Sequence, residues 1–180
     1  MNRLARFFSR LSLLASIGLV SVILWDRYTP PAPPATLEPI NGQIDRILID
    51  KSERKMTVFQ DDTIVRTYEI ALGFTPEGDK MLEGDGKTPE GIFKIDRRND
   101  QSAFHLSLGL NYPLAEDRAR AAADGVSPGG DIFIHGQPNG RQRFEPILHD
   151  WTDGCIALSD AEIEELWGVT PIGTEVEITP

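Results

Sequence analysis

The sequence predicts a mainly β domain with two short helices, set behind an N-terminal apolar helix. Three observations carry this. Short runs of alternating or β-branched apolar residues recur from residue 44 to the end of the chain. Two segments carry helix start and stop signals. The first 28 residues have a composition unlike the rest.

That first segment places Arg3, Arg6 and Arg10 before the uncharged run Leu11 to Trp25, the pattern of an export signal. From Phe7 to Trp25 there are 19 residues, roughly 28 Å of helix at about 1.5 Å each, against a hydrocarbon core of about 30 Å. Arg10 can snorkel to the headgroups. No good signal-peptidase site follows, since Ala32 precedes Pro33 and Ala35 has Pro33 two residues before it. An uncleaved membrane anchor over residues 1–28 is therefore expected, with a cleaved signal as the alternative. With the arginines retained in the cytoplasm, the domain faces outward in either case. Residues 29–39, TPPAPPATLEP, hold five prolines and form a linker. It is an extended spacer of roughly 34 Å at about 3.1 Å per residue, or a tether without fixed length.

The folded domain is expected over 40–180. Strands are predicted at 44–50 (IDRILID), 56–59 (MTVF), around Tyr68, Ile70 and Leu72, and at 91–95 (GIFKI), 131–135 (DIFIH) and 175–179 (EVEIT). Asp61-Asp62 suits a tight hairpin, because Asp tolerates left-handed backbone angles. One helix is predicted over 115–124, stopped by Gly125. The other starts at Ser159, where Glu162 three residues on completes a capping box and Ile163, Leu166 and Trp167 share a face.

Charge excludes one class of partner. From Thr29 onward the chain has 14 Lys+Arg against 27 Asp+Glu, a net charge of −13. A nucleic-acid binder carries a basic patch, so no nucleic acid is expected. GDGKTPEG (84–91) contains Gly-Lys-Thr but is no phosphate loop: Met81 stands where the first glycine belongs, and Pro89 blocks the following helix. His105, His135 and His149 form no short metal-ligand pair, so no metal and no cofactor are expected.

The single cysteine, Cys155, has no intramolecular disulfide to make. It is an inert buried thiol, an intermolecular crosslink or a reactive group. His135 ends a predicted strand before Gly136, and strand ends feeding loops are where catalytic side chains sit. An imidazole that takes the thiol proton would supply the nucleophile that a free thiol, only a few per cent ionised at neutral pH, lacks. Asp150 and Asp153, close in sequence, would oppose ionisation if close in space. Gly154 would allow close approach of a substrate to the backbone, and the amides around Gly154 and Cys155 would hold an oxyanion.

These residues resemble the YkuD-type L,D-transpeptidases of bacterial cell walls. His135 and Thr152 are separated by sixteen residues, and Thr152-Asp153-Gly154-Cys155 follows the family's Ser/Thr-His-Gly-Cys, with Asp153 in place of the histidine and Ala157 where Arg or Asn is usual. GDGKTPEGIFKI, LNYP (110–113) and VTPIGTEVEI (169–178) also resemble segments of that domain, over about residues 44–180. The form DWT-x-GCIA is closest to a YafK-like branch with a hydrolytic member.

The resemblance implies a YkuD-like β-sandwich or barrel-like domain that acts on peptidoglycan stem peptides. Cys155 would attack the carbonyl at the L-centre of diaminopimelate, His135 would move the proton, and the Gly136 carbonyl would orient the ring. Trp151, Thr152 and Tyr112 are the expected walls of the substrate site. The expected reaction is transfer through a thioester to an amine acceptor. The alternatives are hydrolysis by the same cysteine, as an L,D-carboxypeptidase or an amidase releasing a wall-attached lipoprotein, and wall binding without turnover. The expected location is the bacterial cell envelope, with a periplasmic domain tethered to the inner membrane or exported.

Overall fold

The computed structural model describes residues 38–140 and 146–180. The expected anchor or signal segment, 1–28, and the linker up to residue 37 lie outside the described residues. Residues Pro39–Pro180 form one compact unit. It contains strands β1 (Arg46–Asp50), β2 (Lys55–Gln60), β3 (Thr63–Glu69), β4 (Gly91–Ser102), β5 (His105–Leu110), β6 (Phe133–His135), β7 (Ile156–Ala157) and β8 (Glu175–Thr179), with helices α1 (Ala115–Ala123) and α2 (Asp160–Val169).

Period-two alternation fixes the central strands. In β1, Ile47 and Ile49 are fully buried, while in β8 Val176 and Ile178 are buried beside them in parallel register. β1 also pairs antiparallel with β2, and β2 with β3. The β2–β3 turn has φ of 49° at Asp61 and 61° at Asp62, both left-handed, as a two-residue hairpin that follows strand twist requires. The predicted turn is observed.

β4 runs well past the expected end at Ile95. Its first residues pair with β8 and its later ones with β5, with register shifts after Ile95 and Asn99. Such bulges bend a strand, and β4 thereby turns one run of strands into the next. The order is β3-β2-β1-β8-β4-β5-β6-β7. The two outer edges then meet. Just beyond β3, Ala71 N–H donates to Ala157 O at 3.0 Å, and Ala157 N–H donates back to Ala71 O at 2.8 Å. The sheet is a curled, barrel-like layer around a core that includes Met56, Phe93, Leu108, Ile134 and Ile156.

α2 begins as the sequence predicts. Ser159 Oγ accepts from Glu162 N–H at 3.3 Å, and Ser159 N–H donates to the Glu162 carboxylate at 2.9 Å. Ile163 and Leu166 are fully buried. Trp167 packs at the edge under Arg98, whose guanidinium carbon lies 4.1 Å from the ring centroid. α1 ends with Gly125 at φ 70° and a Val126 N–H to Ala121 O bond of 2.9 Å, a glycine-terminated helix end.

Asp62 is exposed, and its left-handed angle suits glycine better than any side chain. Asp62→Gly should raise stability by about 0.5–1 kcal/mol, relief of strain outweighing the added chain entropy. The unfolding midpoint in urea should rise with an unchanged slope.

Candidate active site

The closing of the sheet brings His135 and Cys155 to one cavity. β6 and β7 are parallel neighbours with His135 opposite Ala157 and Ile134 opposite Ile156. Both isoleucines are fully buried in the core, so alternation turns His135, Ala157 and, two residues earlier, Cys155 toward the other face. His135 and Cys155 both line a cavity of about 740 Å³. Leu158 N–H donates to His135 O at 2.8 Å, locking the two strands together beyond the pair.

The imidazole is held by its own neighbour. His135 Nδ1 lies 2.7 Å from the Gly136 carbonyl, which can only accept. Nδ1 therefore carries the proton, and Nε2 keeps a free lone pair. Gly136 in turn donates its N–H to Phe104 O at 3.1 Å. Phe104, in the β4–β5 turn, stacks over His135 with centroids 4.6 Å apart, while Trp151 meets the same ring edgewise at 5.7 Å. The ring is 3% exposed. Burial pushes the His135 pKa below 6.5, opposed by the Gly136 hydrogen bond, which favours the cation. At neutral pH this imidazole is an uncharged base.

Cys155 is partly exposed, and its Sγ lies 3.5 Å from Asp131 O. Burial is the main cause that raises its pKa, and Asp153 and Asp131 add to it, while the backbone at Phe133 and the charge of Lys80 oppose. The thiol and the imidazole are therefore both neutral at rest. Of the two aspartates that the sequence places near the thiol, only Asp153 acts on it. Asp150 turns away, to Arg54 Nη2 at 2.9 Å and to Leu72 N–H at 2.8 Å.

The segment before the cysteine is braced from within. Thr152 Oγ1 donates to Cys155 O at 2.7 Å and accepts from Gly154 N–H at 3.2 Å. Thr152 lines the cavity, yet its hydroxyl is spent on the loop. Gly154 has φ 119°, and a Cβ there would stand 2.4 Å from Lys87 O. This corrects the expectation for Gly154: the close approach it permits is by the chain's own 84–91 loop, and its amide is taken by Thr152. Tyr112, expected as a wall, is instead buried in the core, edge-on to Phe93, with its hydroxyl donating to Pro128 O at 3.0 Å. It supports the loop that carries Ser127 and Gly129 on the cavity wall.

Trp151 lines the cavity, and its Nε1–H is buried without a partner among the described residues. Phe104 and Lys80 also line it. Neither was identified from sequence, since both are delivered by tertiary pairing rather than by a motif. His105 bonds Glu164 at 2.7 Å, and His149 is exposed. Among the described residues no group of three or more His, Cys, Asp or Glu could hold a metal ion, and no helix is long and apolar enough to cross a membrane.

Residues 44–178 match the YkuD family, the L,D-transpeptidase catalytic domain. The chain belongs to this family. It is 26% identical over 139 residues to YkuD of Bacillus licheniformis, which carries an L,D-transpeptidase name, covering 75% of this chain and 66% of that one. It is 22% identical over 173 residues to YafK of Escherichia coli K12, covering 93% and 63%. Among solved structures it is similar to the helical cell shape determining protein Pgp2 of Campylobacter jejuni, K307A mutant, at 28% identity and a TM-score of 0.58, covering 79% of this chain and 49% of that one. An L,D-transpeptidase from Xylanimonas cellulosilytica, at 18% identity, a TM-score of 0.51 and coverage of 78% and 63%, shares the fold. This YkuD domain thus spans about two thirds of the two named relatives and half of Pgp2.

A thiol raised above its ordinary pKa of 9.0 should alkylate slowly at neutral pH. The rate with iodoacetamide should climb roughly tenfold per pH unit from 7 to 9 without levelling. A plateau reached below pH 7 would mean a resting thiolate–imidazolium pair instead.

Proposed function

We propose that this YkuD domain is a cysteine-dependent L,D-transpeptidase acting on peptidoglycan stem peptides in the cell envelope. The observation that carries the reading is the fixed tautomer of His135, whose free Nε2 belongs to the cavity that Cys155 also lines. In the first step the Cys155 thiol attacks the carbonyl at the L-centre of diaminopimelate, and its proton passes to His135 Nε2. Charge on the carbonyl oxygen falls to the Cys155 amide. Collapse of the adduct expels the leaving amine, which takes the proton from His135, and a thioester remains. An acceptor amine then attacks the thioester, gives its proton to His135, and the thiol is restored.

Raising the thiol pKa lowers the thiolate population but strengthens its nucleophilicity, so the proton must be removed during attack. A neutral imidazole at pH 7 is the group that can do so. Transfer, rather than hydrolysis, is favoured by the acidic groups beside the nucleophile. Asp131 and Asp153 attract a cationic amine acceptor and give water no such advantage.

Purified protein incubated with muropeptides should yield crosslinked dimers by mass spectrometry. Shortened stems or a freed lipoprotein would mean hydrolysis by the same cysteine. Cys155→Ala should remove all products, and His135→Ala should slow acylation by about 10²–10⁴. Full turnover by the alanine variant at 155 would end the cysteine mechanism.

A further inference from the structure

The strands that bring His135 and Cys155 together are short, and their pairing covers only Ile134 with Ile156 and His135 with Ala157. One further rung follows, Leu158 N–H to His135 O at 2.8 Å. In a parallel ladder the next rung runs from Gln137 N–H to Leu158 O. Here Gln137 N–H donates instead to Asp160 Oδ1 at 2.9 Å, at the first residue of α2. The Gln137 side chain takes the place so vacated: its Nε2–H donates to Leu158 O at 2.6 Å.

The other end of the same amide is engaged too. Gln137 Oε1 accepts from Ile147 N–H at 2.9 Å, on the chain that returns toward Trp151 and Cys155. A carbonyl only accepts and an N–H only donates, so these partners fix which end of the amide is which. Gln137 is 7% exposed and Leu158 1%, and a buried polar group deprived of its partner disfavours the arrangement that leaves it so. One side chain thereby joins three segments: the exit of the strand that carries His135, the chain just past Cys155, and the chain that leads to it. Gln137 does not line the cavity of His135 and Cys155, but a separate one of about 450 Å³. It can act on the chemistry only through position.

We infer that Gln137 is a positioning residue, whose side-chain amide sets the approach of Cys155 to His135 for the passage of a proton from sulfur to Nε2. The inference rests on the proposed acylation of Cys155. A backbone rung would hold the two strands whatever residue stood at 137, whereas a side-chain rung makes their alignment depend on this one amide. Cys155 lies three residues before Leu158, and His135 two before Gln137, so slack at the rung reaches both groups. Proton transfer during attack needs a heavy-atom separation of about 2.6–3.2 Å, and a misplacement of about 1 Å can cost about a hundredfold in rate.

The test follows thioester formation at Cys155 by intact mass, with a synthetic stem tetrapeptide over a range of concentrations. Gln137→Met keeps the volume and removes both side-chain bonds. Its maximal acylation rate should fall about tenfold to a hundredfold, with the half-saturating concentration within about twofold of wild type. In a His135→Ala background, where no proton passes to the ring, the same substitution should change the rate by less than about twofold. Gln137→Glu is the conservative variant. Burial, with Asp160 beside it and Glu53, Glu69 and Glu162 on the shared second cavity, favours the neutral acid, while Arg54 there is engaged by Asp150. Only the neutral acid can both donate to Leu158 O and accept from Ile147 N–H. The rate of Gln137→Glu relative to wild type should therefore rise toward parity as the pH is lowered from about 9 to about 6. A wild-type maximal rate in Gln137→Met, with only a lower melting temperature, would overturn the inference, as would an equal loss in the His135→Ala background. If Gln137→Met does not fold, a relative rate for Gln137→Glu that is flat with pH overturns it. No adduct in the wild type would remove the cysteine mechanism and this inference together.

Discussion

Everything at the site depends on one pair of backbone hydrogen bonds, those between Ala71 and Ala157. β7 has two residues, too few to form a stable strand alone. It exists because its free edge is taken by the chain leaving β3 while its other edge pairs with β6. Ala157 is thus held from both sides. Cys155, two residues upstream, inherits that position, and the Thr152 hydroxyl and the Lys87 carbonyl against Gly154 fix the approach to it. A register slip of one residue would turn the sulfur into the core and Ile156 into the cavity.

The electrostatics follow from this packing. Phe104 and Trp151 exclude water from His135, which keeps the ring neutral, and the Gly136 carbonyl chooses which nitrogen stays open. The same desolvation, reinforced by Asp153 and Asp131, keeps the sulfur protonated. A resting site with a neutral thiol is protected from adventitious alkylation and oxidation, since both begin from the thiolate. Lys80 opposes the acidic groups from the 80–87 loop, so the field at the sulfur is a balance that a charged substrate can tip.

Much of this was legible in the sequence because it is local. The Asp61-Asp62 hairpin, the Ser159 capping box and the β1 and β8 alternation each need only a few adjacent residues. His135 and Cys155 were legible as candidates for one site, and the fold brings both to one cavity; the match to the YkuD family was legible as a motif. What was not legible is what distant pairing creates. HLSLGL of β5 is broken by a serine and a glycine, and it becomes a strand because β4 bends to meet it. β7 is too short to carry a pattern. Phe104 covers His135 only through the β4–β5 turn. Asp150 looked like a neighbour of the sulfur in sequence, yet Arg54, almost a hundred residues away, claims it. Tyr112, in a segment that resembles the family, faces the core, because the polar end it needs satisfied is met by Pro128 O inside the fold.

The central claim is that the fold presents an uncharged imidazole, its proton fixed on Nδ1 and its Nε2 lone pair free, at the cavity that a protonated Cys155 thiol also lines. Nitrogen-15 NMR of selectively labelled histidine reads this directly across a pH titration. The account predicts that His135 shows the Nδ1–H tautomer at pH 7 and titrates below pH 6.5. An Nε2–H tautomer, or an imidazolium persisting at pH 7, would contradict it.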